Sequence, residues 1–244
     1  MRPRLFMGDC LDIIADLPGH SVDMVLCDPP YGCTRNKWDC AVDLGALWDG
    51  LLRVTRPGAA VVMFGSGMFT SDLMQSNRKM WRYNLVWRKT NPTGFLNARR
   101  QPLRAHEDIV VFCDRQTAYN PVMTKGPRKV SSAEHRRNSR LSDNYGAYEP
   151  SGYDSDERYP TSVLTFPRDT QRSPLHPTQK PVALLEMLVR MYSDEEATVL
   201  DCFMGSGSTG VACARTGRGF VGIEVDEGYY EVARERIEAE CSDT

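Results

Sequence analysis

The position of one glycine-rich loop restricts this chain to few folds. An apolar segment, residues 198–201, leads into Asp201-Cys202-Phe203-Met204-Gly205-Ser206-Gly207-Ser208-Thr209-Gly210 and a helical stretch, followed by a second apolar segment, residues 219–224, that ends at Glu224. Glycines let a backbone turn tightly and approach a ligand, and an acid closing the next strand can accept both ribose hydroxyls of an adenosine. Read alone, the G-x-G-x-x-G spelling also fits a dinucleotide dehydrogenase or a purely structural turn. Its place in the chain argues against the dehydrogenase. Only one more strand follows, so the rest of the sheet must come from the N-terminal half, which requires a circularly permuted strand order.

That half supplies the missing strands. Residues 4–7 read as a strand, 11–17 as a short helix, and 22–27 as an apolar strand ending at Asp28. A helix over 43–54 is stopped by Arg56-Pro57-Gly58. A buried strand over 59–64, a helix over 71–80 and strands over 83–88 and 108–113 follow. From 114 to 175 the periodicity fails, and this polar stretch reads as an irregular insert. The domain therefore divides into an N-terminal half (1–113), an insert (114–175) and a C-terminal half that carries the glycine-rich loop (176–244). Strands alternating with helices give an α/β fold with a mostly parallel sheet covered on both faces. Asp9, just past the first strand, then falls beside Glu224 at the carboxyl edge, where such sheets bind ligands; it is equally suited to capping the helix after it.

Charge narrows the partner. The chain carries 30 Lys+Arg and 32 Asp+Glu, but residues 78–140 alone hold 15 basic against 4 acidic side chains, leaving 15 basic and 28 acidic elsewhere. Such segregation is an electrostatic footprint for phosphates. The longest apolar run, residues 59–65, is too short to cross a bilayer and no signal peptide is recognisable, so a cytoplasmic protein with no membrane partner is expected. Eight scattered cysteines show no metal-ligand spacing and read as reduced core thiols; no metal is expected.

The second strand ends in Asp28-Pro29-Pro30-Tyr31. Two prolines fix an extended backbone and set the directions of Asp28 and Tyr31. The arrangement suits an exocyclic amine on a planar ring. Asp28 and the Pro29 carbonyl each accept one N–H, Tyr31 stacks on the ring, and the nitrogen lone pair is aimed at an electrophile.

Asp28-Pro29-Pro30-Tyr31, the 201–209 loop, Gly222-Ile223-Glu224-Val225-Asp226 and His176-Pro177-Thr178-Gln179-Lys180-Pro181 together resemble the amino DNA methyltransferases of the beta permutation class. The resemblance covers nearly the whole chain and supplies the required permutation. It implies a Rossmann-like S-adenosylmethionine-dependent methyltransferase fold, double-stranded DNA as partner, and methyl transfer to adenine N6 or cytosine N4 of a flipped base. The Asp-Pro-Pro-Tyr spelling favours adenine. Phe203, Gly205, Ser206 and Gly207 match the loop around the cofactor's methionine part, with Asp201 and Asp28 beside it; Glu224 and Val225 match the ribose end, and Asp9 and Cys10 the adenine end. His176 to Pro181 resembles a segment closing over the methionine end, where Thr178 and Lys180 suit its carboxylate. Pro181 is also simply a good first residue of a helix.

Methylation at cytosine carbon 5 needs a thiolate, usually presented after a proline. No Pro-Cys dipeptide occurs, and Cys27 and Cys33 are read as inert. RNA or protein-amide methyltransferases use such a tetrapeptide too, typically with the cofactor loop first, and an idle DNA-binding protein would not need an intact Asp28. Lys89, Arg99, Arg100 and Arg104 are expected at phosphates, while His106 and Glu107 suit either a family element or a structural pair. Arg128, Lys129, Arg136, Arg137 and Arg140 mark the insert as the target-recognition segment. A homodimer and a separate restriction endonuclease are both compatible with this reading.

Overall fold

The computed structural model describes residues 2–32, 42–138, 149, 151–169 and 179–242. The chain forms two compact units, Met1–Asn120 with Ser162–Thr244, and Pro121–Thr161. The strands are β1 (Arg4–Met7), β2 (Val22–Cys27), β3 (Thr55–Gly65), β4 (Trp81–Thr93), β5 (Arg104–Phe112), β6 (Thr124–Ser131), β7 (Tyr153–Arg158), β8 (Val163–Phe166), β9 (Thr198–Asp201) and β10 (Gly219–Glu224). The helices are α1 (Cys10–Asp16), α2 (Leu44–Val54), α3 (Met68–Ser76), α4 (Ala133–Asn138), α5 (Val182–Tyr192), α6 (Ser208–Thr216) and α7 (Glu227–Ser242).

The larger unit is built on an eight-stranded sheet of order β1-β10-β9-β2-β3-β5-β4-β8. β1, β10, β9, β2 and β3 are mutually parallel, and β5 runs antiparallel between β3 and β4. The last two strands, β9 and β10, are thus inserted between the first two, β1 and β2, which is the permuted order that the loop position demands. Side-chain alternation builds the core. Val25 and Cys27, Val61 and Met63, and Val110 and Phe112 face a cluster containing Ile14 of α1, Leu47 and Leu51 of α2, and Leu73 of α3. Strands buried on both faces, such as Met24 to Cys27, read as continuous apolar runs.

The local signals set several boundaries. Asp43 accepts from the backbone N–H groups of Gly45 and Ala46, capping α2, and Asp9 caps α1 by accepting from Leu11 N at 2.8 Å. α3 starts and stops earlier than the spacing suggests, because Gly67 takes a positive φ of 62° at its start and Asn77 leaves helical geometry at its end.

The polar insert is less irregular than its composition implies. β6 and β7 pair antiparallel into a separate two-stranded sheet, α4 follows β6, and β8 pairs parallel with β4 in the main sheet. The smaller unit is accordingly narrower than the 114–175 segment. β6 and β7 are largely exposed, so the apolar-polar alternation that marks a half-buried strand is absent. Among the described residues, no helix is long and apolar enough to cross a membrane.

Candidate functional site

A cleft of about 520 Å³ opens in the larger unit at the carboxyl ends of β1, β2, β9 and β10, a size ordinary for a small-molecule site. The strand order brings its walls together from distant sequence. β2 delivers Asp28 to Tyr31, β9 the glycine loop, β10 Glu224 and Val225, and β1 Asp9 and Cys10. Lys180, Asp201, Phe203, Gly205 and Ser206 also line it. Gly207 does not; it turns the chain into α6 with φ +79°, and a Cβ there would lie 2.9 Å from Ala233 on α7. Its role is therefore to let the loop pack against α7 (Glu227–Ser242). His176, Thr178 and Arg140 lie outside the described residues, as do Cys33 and Cys40.

At the glycine-loop end, both acids hold backbone. Glu224 accepts from Gly205 N through Oε2 and from Asp226 N through Oε1, each at 2.9 Å. Burial pushes its carboxyl above the usual range, and these N–H groups oppose the shift. Each oxygen keeps a second lone pair for a ligand hydroxyl. Asp201 is more fully committed. Its Oδ1 accepts from Phe203 N at 3.0 Å and its Oδ2 from the Thr209 hydroxyl at 2.6 Å, fixing the loop between β9 and α6. Burial raises its pKa to about 7, against the pull of those two donors.

The other end is a buried chain of charges. Tyr31 donates its hydroxyl to Asp28 Oδ1 at 2.7 Å, and Lys180 Nζ donates to Asp28 Oδ2. Lys180 Nζ lies 3.4 Å from Glu107 Oε2 and 4.9 Å from the Phe64 ring centroid, and Glu107 Oε1 accepts from Lys89 at 2.5 Å. Four side chains, two from β5 and β4 and two from the loops after β2 and before α5, thus alternate in sign: Asp28, Lys180, Glu107, Lys89. Burial raises the Asp28 pKa, with Lys180 opposing. For Lys180 burial favours loss of the proton, but the Asp28 and Glu107 carboxylates outweigh it and hold the ammonium charged. Glu107, which burial alone would push up, is held below its usual range by Lys180 and Lys89. The Tyr31 ring stacks on Phe69, centroids 4.6 Å apart. Burial beside Asp28 keeps its phenol protonated, so it acts as a donor.

One reading from sequence needs correction. Lys89 does not stand where phosphates are reached: its side chain is 6% exposed and paired with Glu107. Lys180 lines the cleft, with its ammonium held by Asp28 and Glu107. Arg99, Arg100 and Arg104 are exposed around the β4–β5 connection. In the smaller unit Arg128 makes a bidentate pair with Asp154, both bonds 2.7 Å, Arg136 donates to the Ser151 carbonyl, Arg137 lies 3.7 Å from Glu149, and Lys129 is exposed. Glu107 is the principal site residue that sequence reasoning left undecided. Its signal was an acid beside a histidine on a strand crossing to the catalytic edge. Phe64, at the same edge of β3, carried no signal beyond apolarity.

Known proteins share this fold. A solved S-adenosylmethionine complex of M1.HpyAVI shares 24% identity at a TM-score of 0.64, covering 97% of this chain and all of that one. TTHA0409 of Thermus thermophilus shares 25% at 0.65, covering 100% and 97%. The cytosine-N4-specific PvuII DNA methyltransferase shares 14% at 0.68, covering 100% and 91%. In sequence, the type II methyltransferase M.HpaI of Haemophilus parainfluenzae is 23% identical over 98% of this chain and 76% of its own length. The profile of the N6/N4 DNA methylase family matches residues 22–235, and the chain belongs to that DNA methylase family.

Proposed function

We propose that this chain moves a methyl group from S-adenosylmethionine to the N6 amine of an adenine flipped out of double-stranded DNA. The carrying observation is the placement of Asp28 at the floor of the cleft, where Oδ1 and Oδ2 each already accept a proton donor. Lys180 Nζ, a nitrogen donating to a carboxylate beside an aromatic ring, resembles in position the amine of an incoming base. The residues fit the cofactor: Glu224 closes β10 with lone pairs for ribose hydroxyls, Asp9 and Cys10 line the adjacent wall, and the Gly205 turn leaves the backbone open to the cleft. Bound there, S-adenosylmethionine supplies a methyl carbon on a sulfonium.

The chain's own groups then do three things. Asp28 and the Pro29 carbonyl accept the two N–H bonds of the amine, so that its lone pair points at the methyl carbon. Tyr31 holds the base by stacking, and the Pro-Pro backbone keeps both in register. As the N–CH₃ bond forms and the C–S bond breaks, a proton leaves the amine through Asp28, and no enzyme–base bond is needed. Lys180 must yield Asp28 Oδ2 when the amine enters, and Glu107 retains it nearby.

Adenine is favoured by the Asp-Pro-Pro-Tyr spelling. The smaller unit, 121–161, is assigned sequence recognition on its basic side chains. Mass spectrometry of nucleosides from DNA incubated with protein and S-adenosylmethionine tests the reading. N6-methyladenine made by the wild type and absent with Asp28→Ala is the expected result. N4-methylcytosine would overturn the base and keep the chemistry, and full activity of Asp28→Ala would overturn the assignment.

A further inference from the structure

The β4–β5 hairpin continues past the sheet on the catalytic side. β4 runs parallel to β2, so the chain leaves β4 at the same edge at which Asp28 leaves β2. Lys89 joins the charge chain that ends at Asp28, and beyond the Arg88–His106 pair the ladder resumes, after a register shift, at Thr93 and Arg104. The β5 arm covers this stretch with two residues, so at about 3.3 Å per residue the Thr93–Arg104 pair at the base of the tip stands on the order of 7 Å beyond the regular ladder.

The tip is a compact turn. Gly94 adopts a left-handed conformation (φ 89°) and starts a single 3₁₀ turn, Phe95–Asn97, with backbone bonds from Asn97 N to Gly94 O, Ala98 N to Phe95 O and Arg100 N to Asn97 O. On it stand Phe95 and Leu96, 77% and 85% exposed, the latter the most exposed large apolar side chain among the described residues. Two adjacent apolar groups held this bare on an ordered turn lack a partner in the fold. Their surroundings specify its chemistry: Arg99, Arg100 and Arg104 flank them, and residues 89–106 contain no acid.

We propose that Phe95 and Leu96 form a wedge that enters the base stack of the bound duplex as the target base leaves it, while the flanking arginines hold the adjacent phosphates. Flipping a base removes stacking contacts on both of its faces, and an apolar side chain pushed into the vacated step replaces them. This inference rests on the flipped-base reading above and adds to it the group that holds the helix open.

The test uses the full chain and DNA carrying its modification site, located from the methylation pattern of a treated plasmid. Phe95→Ala/Leu96→Ala is compared with wild type on two duplexes, one fully paired and one with the target base mismatched and so already loosely stacked. The variant should lose about tenfold or more of its methyl-transfer rate on the paired duplex and stay within about twofold of wild type on the mismatched one. Its S-adenosylmethionine affinity should be unchanged, and Phe95→Trp should retain activity on the paired duplex. Equal rates on the paired duplex, or an equal loss on both, would overturn the wedge. A shift of the variant from dimer to monomer in sedimentation would also overturn it, by giving the patch to a second copy. Absence of methyl transfer by wild type on either duplex would instead remove the underlying reading.

Discussion

Glu107 balances two lysines with one carboxylate, and that arithmetic decides what its loss does. Glu107→Gln would leave Lys89 without its anion and Lys180 with Asp28 alone, so the variant should be destabilised by about 3–5 kcal/mol, read from urea denaturation. Because its folded pKa lies below the ordinary value, the stability it contributes is present above about pH 4.5 and lost as pH falls through the lowered value. Asp201 has the opposite sign. Its folded pKa of about 7 stands above the ordinary value of 3.8, so the folded state holds a proton that the unfolded state has released. Its contribution is full below about pH 4 and declines by up to about 4 kcal/mol as pH rises through 7. Denaturation midpoints of wild type and Asp201→Asn at pH 5 and 8 check this. Wild type should lose stability relative to the variant across that interval, and parallel curves would contradict the assignment.

The turn between β9 and α6 works only if its backbone can bend left-handed against a neighbouring helix. Gly207→Ala adds a methyl where Ala233 already stands 2.9 Å away, in a conformation alanine resists. A cost of about 1–3 kcal/mol is expected, together with a marked fall in S-adenosylmethionine affinity measured by calorimetry. Elements of this kind were legible in the sequence because their residues answer to one physical demand. The loop from Asp201, the strand ending at Asp28 and the acid closing β10 all sit at the positions read from their spacing. β6 and β7 were not legible, since a two-stranded sheet exposed on both faces leaves no periodic trace. The charge chain was hidden for another reason. Lys89 and Lys180 lie 91 positions apart, and only the crossing of β4 and β5 against the α5 approach shows that one carboxylate, Glu107, engages both. A lysine in a basic segment reads as a phosphate contact until its burial is known.

At the scale of the molecule, the proposed phosphate contacts of the basic stretch are open to a binding test. If Arg99 and Arg100 each meet a phosphate, Arg99→Gln/Arg100→Gln should flatten the slope of log binding constant against log salt by about 2, measured by fluorescence anisotropy. Within the larger unit the residues that flank 121–161 are held by backbone bonds: Asn120 N donates to the Met191 carbonyl and Val86 N to the Ser162 carbonyl. Replacing 121–161 by a flexible linker should leave cofactor affinity intact and abolish site-selective methylation. The permuted strand order also bears on how the protein is made. β1 leaves the ribosome early, but its partner in the sheet is β10, more than two hundred residues later, and β9 must slide in beside β2 at nearly the same time. Until then the nascent chain carries an apolar β2 edge with no neighbour on that side. Synthesis is therefore a race between elongation and sticking, in which the 198–224 segment acts as the keystone and any stall before residue 219 exposes the unfinished sheet to chaperones and proteases.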